Sequence, residues 1–230
     1  MRVLAVQNYP ETTLGQIETA LRERGAEIVL WQAFDGSPMP GGPFDALVVL
    51  GGAQNALADE AAPWFAPLLA AMRQMVEAGK PVLGVCLGSQ LLARAFGAQN
   101  LVGATHEFGW TSVALTEDGE ADPVLSSVQR EFLTFQWHDD TFVLPRAGVR
   151  LAGNDAAHNQ ALRIGRAGYG IQFHFEADRS VLARWTEVYR DAMLAQDQDW
   201  PKRFAEERET TGRVADENGL AIARAWAALI

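Results

Sequence analysis

Short apolar runs of strand length alternate with longer stretches of helical period through the first half of the chain, the pattern of βα units that feed a mostly parallel sheet. Residues 2–7 form a first strand. Leu14, Ile17 and Leu21 recur at helical spacing between the candidate caps Thr12 and Thr13 and the stop Gly25, which predicts a helix over 13–24. A second strand follows at 27–31, then a loop over 34–44 that carries three prolines and three glycines. Residues 45–50 read as a buried strand ending at Gly51-Gly52. A helix over 63–78 closes at Gly79, a strand occupies 81–85, and a helix over 89–96 stops before Gly97.

The second half changes rhythm. Short strand-like pieces at 110–115, 131–137, 149–152, 160–165 and 169–174 are separated by turn residues without intervening helices, which predicts antiparallel additions to the sheet. From Asp178 onward helical spacing returns: Val181, Trp185, Val188 and Tyr189 share a face, and 220–229 reads as a final amphipathic helix. The charged stretch 202–213 between them reads as a solvated face or connector. No repeat or low-complexity linker interrupts the 230 residues, so the expectation is one α/β domain, with a core over about 1–190 and a helical extension over 191–230.

Charge and cysteine content narrow the classes. Nineteen Lys and Arg against 29 Asp and Glu leave a formal charge of −10, and no basic run offers a footprint for nucleic acid or an anionic membrane. The apolar stretch 61–76 is interrupted by Pro63, Pro67 and Arg73 and is too short for a bilayer, while the N-terminus turns polar after six residues, like a strand rather than a signal segment. A single cysteine, Cys86, excludes an intramolecular disulfide. Together these features point to the cytoplasm.

That cysteine carries the candidate chemistry. Gly84-Val85-Cys86-Leu87-Gly88 joins a buried strand to a helix, as in a nucleophile elbow with cysteine in place of serine. The helix behind it points free N–H groups and a positive dipole end at the sulfur, and the N–H of Leu87 lies where an oxyanion would form. Four histidines, His106, His138, His158 and His174, are candidates for a general base. His174 is best placed, because alternation along Gln172-Phe173-His174-Phe175-Glu176 puts Glu176 on the same side, ready to orient the imidazole; His138 remains the alternative. Gly52, at the end of its strand, offers a second oxyanion donor, and Gln90, one helical turn beyond Cys86, offers a substrate contact. The histidines show no metal-ligand spacing, and neither a P-loop nor a G-x-G-x-x-G is present, so no cofactor is expected.

Taken together, Leu50-Gly51-Gly52, the Cys86 elbow through Gln90, and the His174–Glu176 segment resemble the class I glutamine amidotransferases over about residues 1–190. Trp137-His138-Asp139-Asp140-Thr141-Phe142-Val143-Leu144-Pro145 and Glu107-Phe108-Gly109-Trp110 are similar to segments of its GMP-synthase-like branch. The resemblance implies a flavodoxin-like glutaminase fold in which Cys86 attacks the γ-carboxamide of glutamine and His174 serves as base. It further implies that Gly52 and Leu87 form the oxyanion hole, that Gln90 with the backbone near Gly109 and Trp110 holds the amino-acid end, and that His138 is structural or part of the pocket wall. Two positions depart from the family pattern: Ala53 and Phe175 stand where prolines are common, which removes rigid φ constraints, and Phe175 adds bulk that would alter access to the site. After Glu176 the chain continues for 54 residues with no synthase-like segment, as in stand-alone members, some of which cleave γ-glutamyl peptides. Three functions are compatible with these residues: a stand-alone γ-glutamyl amide hydrolase, a glutaminase subunit for a separate synthase, and a non-catalytic binding module. Either of the first two allows a homodimer.

Overall fold

Side-chain alternation along the central strands divides the apolar sequence between two faces of one sheet. The computed structural model describes residues 1–230. Its first half runs β1 (Arg2–Gln7), α1 (Gln16–Glu23), β2 (Glu27–Gln32), β3 (Ala46–Val49), α2 (Phe65–Glu77), β4 (Val82–Val85) and α3 (Leu87–Ala95). The second half adds β5 (Asn100–Leu101), β6 (Glu107–Leu115), a short α4 (Glu117–Glu120), β7 (Glu131–His138), β8 (Thr141–Phe142), β9 (Gly148–Gly153), β10 (Ala161–Ile164) and β11 (Gly168–Ile171). Four helices close the chain: α5 (Arg179–Val188), α6 (Arg190–Gln196), α7 (Trp200–Glu207) and α8 (Arg213–Ala227).

Nine strands form the main sheet in the order β2-β1-β3-β4-β11-β10-β9-β6-β7, and β5 pairs with β8 in a separate ribbon. The first five are mutually parallel; from β11 outward every pairing is antiparallel. Val3 and Ala5 face one layer with Ile17 and Leu21 of α1 and Ile222 and Trp226 of α8. Leu4 and Val6 face the other with Phe65, Leu68 and Met72 of α2 and Leu91 of α3. The central strands β3, β4 and β11 are buried throughout, which accounts for their unbroken apolar runs. A third cluster, rich in aromatics, lies between β6, β7 and the helices α5 to α7.

Several boundaries differ from the sequence reading for identifiable reasons. Helix α1 begins at Gln16 rather than near Thr13: the Thr12 hydroxyl donates to the Tyr9 carbonyl instead of capping, and Gly15 turns the chain with φ 49°. Strand β6 starts at Glu107, earlier than expected, because Glu107 and Phe108 pair with His138 and Trp137. The charged stretch, read as a solvated face or connector, is the solvated face of a helix. Trp200 and Phe204, one turn apart, bury one face of α7 while its charges face outward, and a π-turn at Arg208–Gly212 leads into α8. Val188 is exposed rather than sharing the buried face of Trp185. Nor is α8 an appendage, since Ile222, Ala223, Trp226 and Ala227 belong to the same cluster as α1. No helix is long and apolar enough to cross a membrane.

Candidate active site

The carboxyl ends of four parallel strands bring the chemistry together. Asn8 and Tyr9 follow β1, Gly51 and Gly52 follow β3, Cys86 follows β4, and His174 lies three residues beyond β11. Open α/β sheets bind ligands at this edge. Here a cavity of about 450 Å³ is lined by Cys86, His174, Gly52, Leu87 and Gln90.

Cys86 occupies the turn between β4 and α3 with φ 51° and ψ −111°, a positive-φ conformation outside the left-handed helical basin that is rare for any residue but glycine. Its N–H donates to the Ile171 carbonyl at 2.8 Å, locking the turn to β11. The flanking glycines make the turn possible by close packing. A Cβ on Gly88 would stand 2.0 Å from the Val49 carbonyl oxygen, and one on Gly84 would stand 2.2 Å from the Gly88 carbonyl. α3 starts at Leu87, two residues earlier than the sequence suggested, so the N–H groups of Leu87 and Gly88 fall in the first turn, whose donors have no partner along the helix.

His174 is held by three contacts. Its N–H donates to the Phe135 carbonyl at 2.8 Å, its ring meets Trp185 edge-on at 5.3 Å, and Nδ1 lies 2.8 Å from Glu176 Oε1. The His174–Glu176 pair forms in a turn after β11 rather than within a strand, and both side chains are buried. Burial, the largest single influence, disfavours a charged imidazole, but the Glu176 carboxylate and the Cys86 sulfur outweigh it and push the His174 pKa up to about 10. Gly51 presses against both partners: a Cβ there would lie 3.3 Å from His174 Cε1 and 3.6 Å from Cys86 Cβ. A sulfur at a helix N-terminus beside an imidazole oriented by a carboxylate is the arrangement that nucleophilic acyl transfer requires.

The other histidines are occupied elsewhere. His138 lines the cavity, but its Nδ1 faces the Asp140 carbonyl at 3.0 Å, while Nε2 lies 3.1 Å from Gln136 Oε1 and 3.1 Å from Glu107 Oε2. Both nitrogens are engaged by protein acceptors, which makes it a wall residue. His106 pairs with Asp139, and His158 with Arg150.

The profile of the class I glutamine amidotransferase family matches residues 4–184. The chain belongs to that family. Among curated relatives it is 30% identical over 181 residues to the glutamine amidotransferase-like protein YfeJ of Salmonella typhimurium, covering 76% of each chain. It is 32% identical over 113 residues to one of the subunits of the glutamine-hydrolyzing GMP synthase of Archaeoglobus fulgidus, covering 48% of this chain and 59% of that one. Among solved structures, a glutamine amidotransferase from Thermotoga maritima superposes with a TM-score of 0.88 at 28% identity, covering 99% of this chain and 98% of the other.

Against the class I pattern, the two missing prolines are compensated by packing. The Phe175 ring turns away from the cavity into the core beside Phe173, so it does not narrow the entrance as the sequence suggested. The Phe175 carbonyl accepts from Gln16 Nε2 at 3.0 Å and the Glu176 carbonyl from the Gln16 N–H at 2.9 Å, which fixes the His174–Glu176 segment through α1. At Gly51-Gly52-Ala53, Asn8 takes over: Nδ2 donates to the Leu50 carbonyl at 2.7 Å, Oδ1 accepts from Trp64 Nε1, and the Asn8 carbonyl accepts from Gln54 Nε2.

Three expected substrate contacts fare differently. Gln90 lines the cavity and is buried rather than solvated, its Nε2 lying 3.2 Å from both the Asp140 carbonyl and Gln172 Oε1. Gly109 and Trp110 do not line the cavity, which corrects the expectation drawn from the resemblance. Trp110 stacks on Phe204 at 5.7 Å and a Cβ on Gly109 would meet Arg203, because α7 folds over this part of β6. The end of the next strand, β7, and the turn after it supply the wall instead, through Trp137 and His138 and through Asp139 and Asp140. The sequence reading also missed Asn8, Tyr9, Trp185 and Tyr189 as parts of the site. The position of Asn8 and Tyr9 just past the end of β1, equivalent to that of Gly51 after β3, was the available signal.

Proposed function

We propose that this chain hydrolyses γ-glutamyl amides, glutamine among them, through a γ-glutamyl thioester on Cys86. The carrying observation is the convergence of a positive-φ Cys86 at the start of α3 and a His174 oriented by Glu176 on one cavity. In this reading Cys86 Sγ attacks the γ-carbonyl carbon, and the N–H groups of Gly52 and Leu87 hold the oxyanion. His174, protonated at neutral pH, delivers its proton to the departing nitrogen and then takes one from the water that cleaves the thioester. Glu176 keeps Nδ1 protonated and the ring in place. Gln90 borders the glutamyl group. The whole chain acts as one domain, in the cytoplasm, without a cofactor. Cys86→Ser is expected to lower glutamate release by about 1000-fold or more while leaving the circular dichroism spectrum and Tm unchanged. Activity retained in that variant eliminates the mechanism.

A second reading draws on the relatives that are subunits of glutamine-hydrolyzing GMP synthases: the chain supplies ammonia to a separate synthase. Glutamate release that is near zero alone and rises on addition of one partner favours this reading over the stand-alone hydrolase.

A further inference from the structure

The cavity is divided in character, and its aromatic part lies on the side of His174. Trp185 meets the imidazole edge-on at 5.3 Å, Trp137 lies 5.9 Å from both Trp185 and Tyr189, and Tyr189 lies 6.1 Å from Tyr9. The polar tips of two of these rings are turned away into backbone partners. Trp185 Nε1 donates to the Glu11 carbonyl at 3.0 Å and the Tyr189 hydroxyl donates to the Pro10 carbonyl, so both present aromatic carbon to the cavity. The loop that accepts these bonds is itself unusual, with Glu11 at φ 62°.

In an amide cleaved at Cys86, the departing nitrogen must face the imidazole that protonates it, so the amine substituent points along this aromatic wall. Space agrees: glutamine, with about ten heavy atoms, fills roughly 200 Å³ at the packing density of protein interiors, well below the cavity's 450 Å³. No Lys or Arg lines the cavity, while Asp139 and Asp140 do. The glutamyl carboxylate must rely on neutral donors, and a second carboxylate on the amine side would find no free cation, because the one positive group there, the His174 imidazolium, is already paired with Glu176.

We infer that the preferred substrates are γ-glutamyl amides of amines that carry an aromatic or extended apolar group and no carboxylate. This rests on the reading of Cys86 as nucleophile. The Sγ–C bond forms as the C–N bond breaks, the amine leaves with the proton from His174, and water cleaves the thioester to glutamate, returning a proton to His174 and freeing Sγ; amide plus water becomes glutamate plus amine.

The test measures kcat/KM for glutamate release from γ-glutamyl-phenethylamine, γ-glutamylglycine and glutamine. The aromatic amide should exceed γ-glutamylglycine by about tenfold or more and also exceed glutamine. Tyr189→Ala should lower the ratio of aromatic amide to glutamine by about tenfold, with Tyr9→Ala lowering it in the same direction as an independent variant. An equal or better rate with γ-glutamylglycine or glutamine, or a ratio that neither variant moves, overturns the substrate class and leaves the hydrolase reading standing. Release from none of the three, together with failure of a glutamine-analogue diazo-ketone to alkylate Cys86, overturns both.

Discussion

Cys86 and His174 show how the conformation and charge of single residues here depend on their neighbours. The positive-φ backbone at Cys86 persists because Gly84 and Gly88 let α3 sit directly against β3 and β4. The raised pKa of His174 depends on Glu176, whose Oε2 is buried with no hydrogen-bond partner while Oε1 holds the imidazole at 2.8 Å. A histidine whose folded pKa lies above its unfolded value stabilises the fold fully below the unfolded pKa, near 6.5, and loses that contribution as pH rises through the folded value, about 10. Glu176→Gln removes the carboxylate that raises it. The Tm difference between wild type and Glu176→Gln should therefore be largest near pH 6, shrink through pH 8, and be small above pH 10. A difference that grows with pH would contradict the assignment. At this scale the sequence was most informative about local placement: the strand-to-helix turn at Cys86 and the His174–Glu176 pair each follow from short-range spacing.

Among the elements, the turn that carries His174 and Glu176 is clamped from both sides by helices distant in sequence. Gln16, at the start of α1, donates to both the Phe175 and Glu176 carbonyls. Gly219 of α8 packs against the same turn so closely that a Cβ would stand 2.1 Å from the Phe175 carbonyl oxygen. Gly219→Ala should destabilise the fold by about 1–3 kcal/mol through overpacking and lower kcat by displacing His174. Glu217→Ala, on the exposed face of the same helix, should change stability by less than about 0.5 kcal/mol. Chemical unfolding and steady-state rates of the two variants check this. If Gly219→Ala matches Glu217→Ala in both, the clamp has no mechanical role. The periodicity of 220–229 showed that a helix existed but not that it begins at Arg213 or that its glycine faces the site.

For the whole molecule, the family match ends at residue 184, yet the fold does not. α8 inserts Ile222 and Trp226 into the cluster formed by α1 and the sheet, and Asn218 Nδ2 donates to the Leu133 carbonyl on the edge strand β7. Arg224 pairs with Glu23 across the α1–α8 contact. Truncation after residue 190 should therefore abolish cooperative thermal unfolding rather than yield a smaller active core. In the full chain, Trp226→Ala should cost about 3–5 kcal/mol. A truncated protein that unfolds cooperatively near the wild-type Tm would show that the C-terminal helices are dispensable.

What the sequence alone determined is what local spacing encodes: the βα order of the first half, the antiparallel second half, the elbow around Cys86, and the pairing of His174 with Glu176. Each depends on residues a few positions apart, so periodicity and turn chemistry suffice to read it. Only the tertiary structure decided that Gly109 and Trp110 lie beneath α7, that Phe175 faces the core, and that Tyr9, Trp137, Trp185 and Tyr189 form one wall. The face an aromatic ring presents depends on where its polar tip finds a partner, and for Trp185 and Tyr189 those partners are the carbonyls of Glu11 and Pro10, more than 170 residues away in the chain.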